Sequence, residues 1–260
     1  MPALYPPHGS ATTTMHAPGW RVESLPETDS TQRAAAALPA WSAVVAMTQT
    51  GGHGRHQRKF TSDRGGLYLT AVVPFDGDAA RWLGFALAVG WAVQSALMEM
   101  GVEDLRLRWP NDLMIGPRKV GGILVEQGGL QTLLIGIGLN ITNRPWLEDH
   151  ALRYAAGRLL DHCQRALTGP EQLLEPILHA VHRAHTEFAS RGLPGLLPEI
   201  NRCWGPRRHV WLEAAPEIDL PETEGAFAGI DGSGRVLIAR PDGSLVGVPE
   251  HHIQRLVEVE

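Results

Sequence analysis

Positions 48–59 of this 260-residue chain, Thr-Gln-Thr-Gly-Gly-His-Gly-Arg-His-Gln-Arg-Lys, gather its densest set of groups that could do chemistry. Gly51, Gly52 and Gly54 permit positive φ and let the backbone approach a ligand closely. Arg55, Arg58 and Lys59 add fixed positive charge, and a guanidinium fork matches the oxygens of phosphate or carboxylate. Free amides and cations together make a cradle for an anion, a phosphate chain above all. The Gly-Lys-Ser/Thr ending of a Walker loop is missing, and no helix is expected next. A solvated surface loop would have the same composition, so the segments around it must decide.

Those segments read as follows. Two apolar runs, 42–47 and 66–73, flank the loop as buried strands. Upstream, the alanines of 32–38 favour a helix, with Asp29 or Ser30 as N-cap. A helix start offers free N–H groups and hydroxyls to a polar ligand head, although plain capping explains Ser30 and Thr31 equally well. Residues 79–100 read as an apolar helix closed by Gly101. A β meander follows: 105–109, 113–115 after the Trp-Pro-Asn-Asp turn at 109–112, 119–126 after a Gly116-Pro117 tip, and 132–140 after Gly128-Gly129. Glycines inside such strands mark a bulge or the close approach of a ligand. Helices are expected over 152–165 and 170–191. His179, His182 and His185 recur every third residue, but that step drifts around a helix and no acidic or cysteine partner sits among them. They read as a solvated face rather than a metal site, as do His251 and His252. From position 207 short strands separated by Asp231-Gly232 and Asp242-Gly243 predict a small antiparallel barrel.

Strands, then helices, then a β module give an α+β fold: a leader at 1–19, a main domain at 20–206 and a small domain at 207–260. The leader is rich in Pro, Thr, Ala and His, lacks the basic and apolar regions of a secretory signal, and is expected to be disordered. A formal charge of −5 argues against a general nucleic-acid binder and suits a small anionic ligand held by one basic loop. Cys163 and Cys203 have no metal spacing, so a reducing, cytoplasmic setting is expected. The apolar run 83–98 carries Gln94 and is short for a membrane span.

Three segments now stand together: the glycine-rich basic loop, Arg108-Trp-Pro-Asn-Asp-Leu113 with Lys119-Val-Gly-Gly-Ile-Leu124, and Gly136-Ile-Gly-Leu-Asn140. In this combination the chain resembles the bacterial biotin–protein ligases, from about residue 24 to its end. The resemblance implies a class II synthetase-like mixed sheet with packed helices and a C-terminal SH3-like barrel. It implies two steps: biotin and MgATP give biotinyl-5′-AMP, and a lysine of a biotin carboxyl carrier protein then takes the biotinyl group. It further implies that Lys119, Arg55 and Asp112 are catalytic. Ser30, Thr31, Gln32, Gln49, Gly52, His53, Gly54, Arg55, Lys119 and Gly138 would meet biotin, with Gly136 on the same ligand-lining strand. Arg55, Arg58, Phe60, Asn111, Asp112, Lys119 and Asn140 would meet ATP. Asp112 would either hold Mg²⁺ or orient the incoming amine. His53, His56, Gln57, Phe60, Gln32 and Arg108 depart from the family pattern, which has arginine at 53, often arginine at 56, glycine at 57, tryptophan at 60, asparagine at 32 and lysine at 108. These changes lower loop charge and bear on nucleotide affinity. A DNA-binding winged helix is not expected, nor DNA or a membrane as partner, and the chain would be a monomer or a weak homodimer joined edge to edge. A lipoate or octanoate ligase would carry an Arg-Arg-x-Ser-Gly-Gly-Gly motif, absent here. A non-catalytic module on the same fold is the remaining alternative.

Overall fold

Along β8 (Thr132–Asn140), Leu133, Ile135, Ile137 and Leu139 enter one large apolar cluster, while Leu134 belongs to a separate small one. Strand side chains alternate between faces. One face of β8 must therefore be covered by helices, and the other, carrying Gly136 and Gly138, is left nearly bare. This alternation sets the architecture of the computed structural model, which describes residues 13–17, 19–148, 155–164, 167–220 and 224–259.

The main sheet has eight strands: β1 (Thr13–Ala17), β2 (Trp20–Leu25), β3 (Ser42–Ala46), β4 (Gly66–Pro74), β5 (Leu105–Arg108), β6 (Asp112–Ile115), β7 (Arg118–Gln127) and β8. Their spatial order is β1-β2-β3-β4-β8-β7-β6-β5. Only β2 and β3 pair in parallel, so the sheet is mixed. Helices α2 (Phe85–Glu99) and α4 (Leu174–Arg202) bury Leu87, Val93, Leu97, Ile177, Val181 and Phe188 against the aliphatic face. The short helix α1 (Thr31–Ala35) lies on the opposite face, where Ala35 meets Val44, Val72 and Leu134. A further turn of helix, α3, spans Pro145–Glu148.

The C-terminal unit is an antiparallel sheet of five strands, in the order β12 (Leu245–Val248), β11 (Val236–Ala239), β10 (Glu224–Ile230), β9 (His209–Ala214) and β13 (Ile253–Val259). It is SH3-like, but β12 and β13 are the free ends of the order, so the ladder is open where a closed barrel was expected. Its residues Val210, Leu212, Ile230 and Leu256 join the main apolar cluster. Arg106, only 5 % exposed, bonds Glu258 through both guanidinium ends at 2.7 and 2.6 Å and also donates to the Gly116 carbonyl. Asn201 of α4 exchanges two 3.0 Å hydrogen bonds with the backbone of Ile230.

Several expectations change. The presumed leader is not unstructured throughout: residues 13–17 form β1 and pair with β2, from Thr13↔Ser24 to Ala17↔Trp20. Gly19, at φ 78°, supplies the left-handed turn that brings the strands together; residues 1–12 lie outside those described. No α-helix fills the described part of 152–165, where a 3-10 turn occupies Leu159–His162 and residues 151–154 and 165–166 are outside the described set. The next helix begins at Leu174, not 170, and continues to Arg202 through a kink at Gly192. His185 is not on a solvated face: half-buried among Trp41, Trp82 and Phe85, it donates from Nε2 to the Pro74 carbonyl at 3.0 Å.

Candidate active site

Gly136 and Gly138 form the floor of a pocket on the bare face of the sheet. A Cβ on Gly136 would stand 3.1 Å from Gln32 Oε1, and one on Gly138 would stand 2.7 Å from the Phe60 ring. Gln32 and Phe60 can lie over these strands only because both positions lack a side chain. Phe60 meets Tyr68 edge-on and stands 5.9 Å, centroid to Nζ, from Lys119. The phenyl ring thus sits mid-pocket, over the glycine floor.

One end of the pocket is polar and uncharged. Gln49 Oε1 accepts from the Thr31 amide at 2.9 Å and from the Thr31 hydroxyl at 3.1 Å, while its Nε2 donates to Ser62 Oγ at 2.9 Å. Thr70 Oγ1 donates to Thr31 Oγ1 at 2.9 Å. These bonds hold the start of α1 over the sheet. Ser30 presents a hydroxyl with no partner among the described residues, and it is 2 % exposed.

The other end is cationic. Lys119 owes its place to a bulge. Asp112 pairs with Gly122 and Leu113 with Gly121, but Met114 pairs with Lys119, leaving Val120 as the extra residue. Val120 turns into the helix-covered core, fully buried, and Lys119 gains the same face as Gly122. The main chain of Lys119 is clasped by Ala155 and Gly157 at 2.8 and 2.9 Å. Its Nζ lies 2.5 Å from Asp112 Oδ1, and Arg108 Nη2 lies 2.6 Å from Asp112 Oδ2. Burial, the largest single effect, pushes the Asp112 carboxyl up, but Lys119 and Arg108 together outweigh it and hold the group below its ordinary value. Asp112 is thus an ionised anchor for two cations. Arg55, Arg58, Lys59, Arg108, Lys119 and Arg255 line the pocket against this single carboxylate. Six cations facing one anion leave a surplus that an anionic ligand would neutralise.

The glycine-rich loop forms a small hairpin across this end. Phe60 donates to the Gly52 carbonyl at 2.9 Å, Gly54 donates to the Arg58 carbonyl at 2.8 Å, and His53 bridges Lys59. Its tip is strained: His56 and Gln57 have φ of 54° and 56°, a region disfavoured for side-chain-bearing residues. Arg55 leaves the loop to pair with Glu250 of the C-terminal unit at 3.0 Å, and Arg58 has no ion-pair partner among the described residues.

Of the residues expected here, Ser30, Thr31, Gln32, Gln49, His53, Gly54, Arg55, Arg58, Phe60, Asn111, Asp112, Lys119 and Gly138 line one pocket. Two do not. Gly52 lies behind the loop, packed against the Phe60 carbonyl and Ser62. Asn140 donates to the Gly157 carbonyl at 3.0 Å and accepts from Asn143 at 3.2 Å, so its amide is spent on the protein. Sequence reasoning missed the wall given by Gln254, Arg255 and Leu256 of β13. It also missed the pairing of Arg108 with Asp112. Four-residue spacing could have signalled the second; the first is a long-range contact with no local pattern.

The family model described as Biotin/lipoate A/B protein ligase family matches residues 21–140. The chain is 29% identical to the biotin–[acetyl-CoA-carboxylase] ligase of Paracoccus denitrificans over 246 residues, which cover 85% of this chain and 95% of that one. It is 34% identical to the bifunctional ligase/repressor BirA of Escherichia coli over 135 residues, 48% of this chain but 42% of BirA. Its fold is similar to that of a biotin protein ligase from Aquifex aeolicus in complex with biotin and ATP, with a TM-score of 0.77 at 24% identity, over 92% of this chain and 99% of that one.

Proposed function

We propose, on its likeness to the biotin/lipoate A/B protein ligase family, that the chain is a biotin–protein ligase acting through biotinyl-5′-AMP. One observation carries this reading: a single pocket joins a neutral, hydrogen-bonding end to a cationic end across a floor of glycine. Biotin has that same polarity, a cyclic urea at one end and a carboxylate at the other. An acyl chain such as lipoate or octanoate offers Ser30 and Gln32 nothing to bond.

In the first step a carboxylate oxygen attacks the α-phosphorus of ATP, the Pα–O–Pβ bond breaks and pyrophosphate leaves. Two anions must meet, so their repulsion has to be offset by fixed cations. Lys119, fastened by Asp112 and by its clasped backbone, stands where carboxylate and α-phosphate converge. Arg55 and Arg58 reach the phosphates from the loop; Arg55 must first leave Glu250. In the second step a carrier lysine, as the free amine, attacks the acyl carbon and AMP departs with the bonding pair. The pocket offers no acidic side chain besides Asp112 among the described residues, and both of its oxygens are taken by cations. Asp112 therefore does not fit as a magnesium ligand.

We assign the acceptor lysine to a biotin carboxyl carrier domain and the work to the cytoplasm, with residues 20–206 as the catalytic part and 207–260 as the C-terminal domain. No helix among the described residues is long and apolar enough to cross a membrane. The test is biotin-dependent exchange of labelled pyrophosphate into ATP. The native chain should support it. Lys119→Ala should lose about a hundredfold or more, with the fold preserved because the ammonium is outside the apolar core and Arg108 still pairs with Asp112. Exchange in the variant at the native rate would refute the assignment.

A further inference from the structure

Gln32 and Glu126 meet at the neutral end of the pocket: Gln32 Nε2 lies 2.9 Å from Glu126 Oε2. An ionised carboxylate only accepts hydrogen bonds, so the Gln32 atom facing it must be the NH₂ group. This settles which way the amide points. Its carbonyl oxygen is then turned the other way, over Gly136, into the site. That oxygen is buried and has no partner, and Gln32 as a whole is 6 % exposed. Its neighbours do not satisfy it. Gln49, Thr31, Thr70 and Ser62 are already bonded to one another. A buried acceptor without a donor is costly, and a ligand N–H is the natural way to satisfy it.

We propose that Glu126 is a positioning residue for the ligand's ring: by taking the Gln32 NH₂ group it fixes the Gln32 carbonyl oxygen as the acceptor for an N–H of a cyclic urea. Glu126 itself is not among the residues that line the pocket and touches no ligand; it acts through Gln32. The inference rests on the biotin reading above and extends it, by naming the group that makes the pocket prefer a urea to a bare acyl chain. Without Glu126 the amide is free to turn over. An NH₂ group would then face the urea N–H, two donors would oppose each other, and the preference would be lost.

The experiment is a double-mutant cycle read by calorimetric titration with biotin, beside steady-state pyrophosphate exchange. Glu126→Leu should weaken biotin about tenfold, while kcat at saturating biotin and KM for ATP stay within about twofold. Glu126→Gln, whose carbonyl can still accept from Gln32, should recover most of the affinity. In a Gln32→Met background, Glu126→Leu should have no further effect, because the group it orients is gone. Unchanged affinity in Glu126→Leu would overturn the proposal. So would a loss of equal size in the Gln32→Met background, or a matching fall in kcat and in ATP affinity that marks general damage. If the native chain binds biotin but exchanges no pyrophosphate, the ligase reading falls while the cycle still decides the role of Glu126. If it binds no biotin, both fall.

Discussion

Asn140 has the appearance of a ligand-binding residue and the bonding of a structural one. Its amide is committed at both ends, to the Gly157 carbonyl and to Asn143. Asn140→Ala should therefore cost about 1–3 kcal/mol of stability, the cost of a buried carbonyl left without a donor, while KM for biotin and for ATP changes little. Urea unfolding together with exchange kinetics checks both halves, and a large rise in either KM at unchanged stability would return Asn140 to the site. The contrast shows which residues were legible in the sequence. Gly138 was legible because a glycine inside a strand marks a bulge or a close neighbour, whereas Lys119 and Gln49 were marked out by the family motif they resemble and not by any local pattern. Asn140 continues the same motif but spends its amide on Gly157 and Asn143, and a motif does not say which of its members face inward. Gln254, Arg255 and Leu256 gave no sign, since their meeting with Lys119 depends on docking of the C-terminal sheet.

The bulge at Val120 governs an entire strand. Without it, alternation would put Lys119 on the same face as Ile123, under α2. Exchanging the two neighbours, Lys119→Val with Val120→Lys, should remove pyrophosphate exchange completely and lower stability by several kcal/mol, since position 120 is fully buried and an ammonium there would enter the core unpaired. Val120→Ala keeps the extra residue; it should lose only about 2 kcal/mol of packing and stay active. Equal activity losses in the two variants would show that the face on which the ammonium stands is not what matters. Glycines within strands announced a bulge or a close approach somewhere in 119–126, but only the pairing of β6 with β7 located it. Likewise the three-residue histidine spacing was readable, whereas the burial of His185 depends on Trp41 and Trp82 from other elements. Burial is the chief cause holding the His185 pKa below its ordinary value of 6.5, with His182 adding to it and the bond to Pro74 opposing it. The sign follows. With the folded pKa depressed, the unfolded chain takes up the proton first, so stability present above pH 6.5 is lost as pH falls from there towards the folded value. Melting temperature should decline as pH falls below about 6.5 in the native chain, and less so in His185→Gln. Parallel declines would assign the effect to other groups.

At the scale of the whole molecule, two units share one apolar cluster and one pocket, fastened by Arg106 to Glu258 and by Asn201 to Ile230. The sequence made both units legible through a change of texture near 207, from long helices to short strands between Asp-Gly turns. It could not show that β13 completes the pocket wall, because that follows from how the sheets dock. The shared site also gathers Arg55, Arg58, Lys59, Arg108, Lys119 and Arg255 around one carboxylate, on a chain whose formal charge is −5. This separation of charge acts before any contact is made. Outside the pocket the chain is net acidic, so a polyanion is drawn chiefly to the pocket mouth and association outpaces random collision. Salt should blunt the funnel, since at 0.1 M ionic strength the screening length is only about 10 Å. In stopped-flow binding of ATP, the association rate constant should fall severalfold between about 20 and 200 mM NaCl, with dissociation changing much less. A salt effect confined to dissociation would mean that the cations hold the nucleotide without having drawn it in.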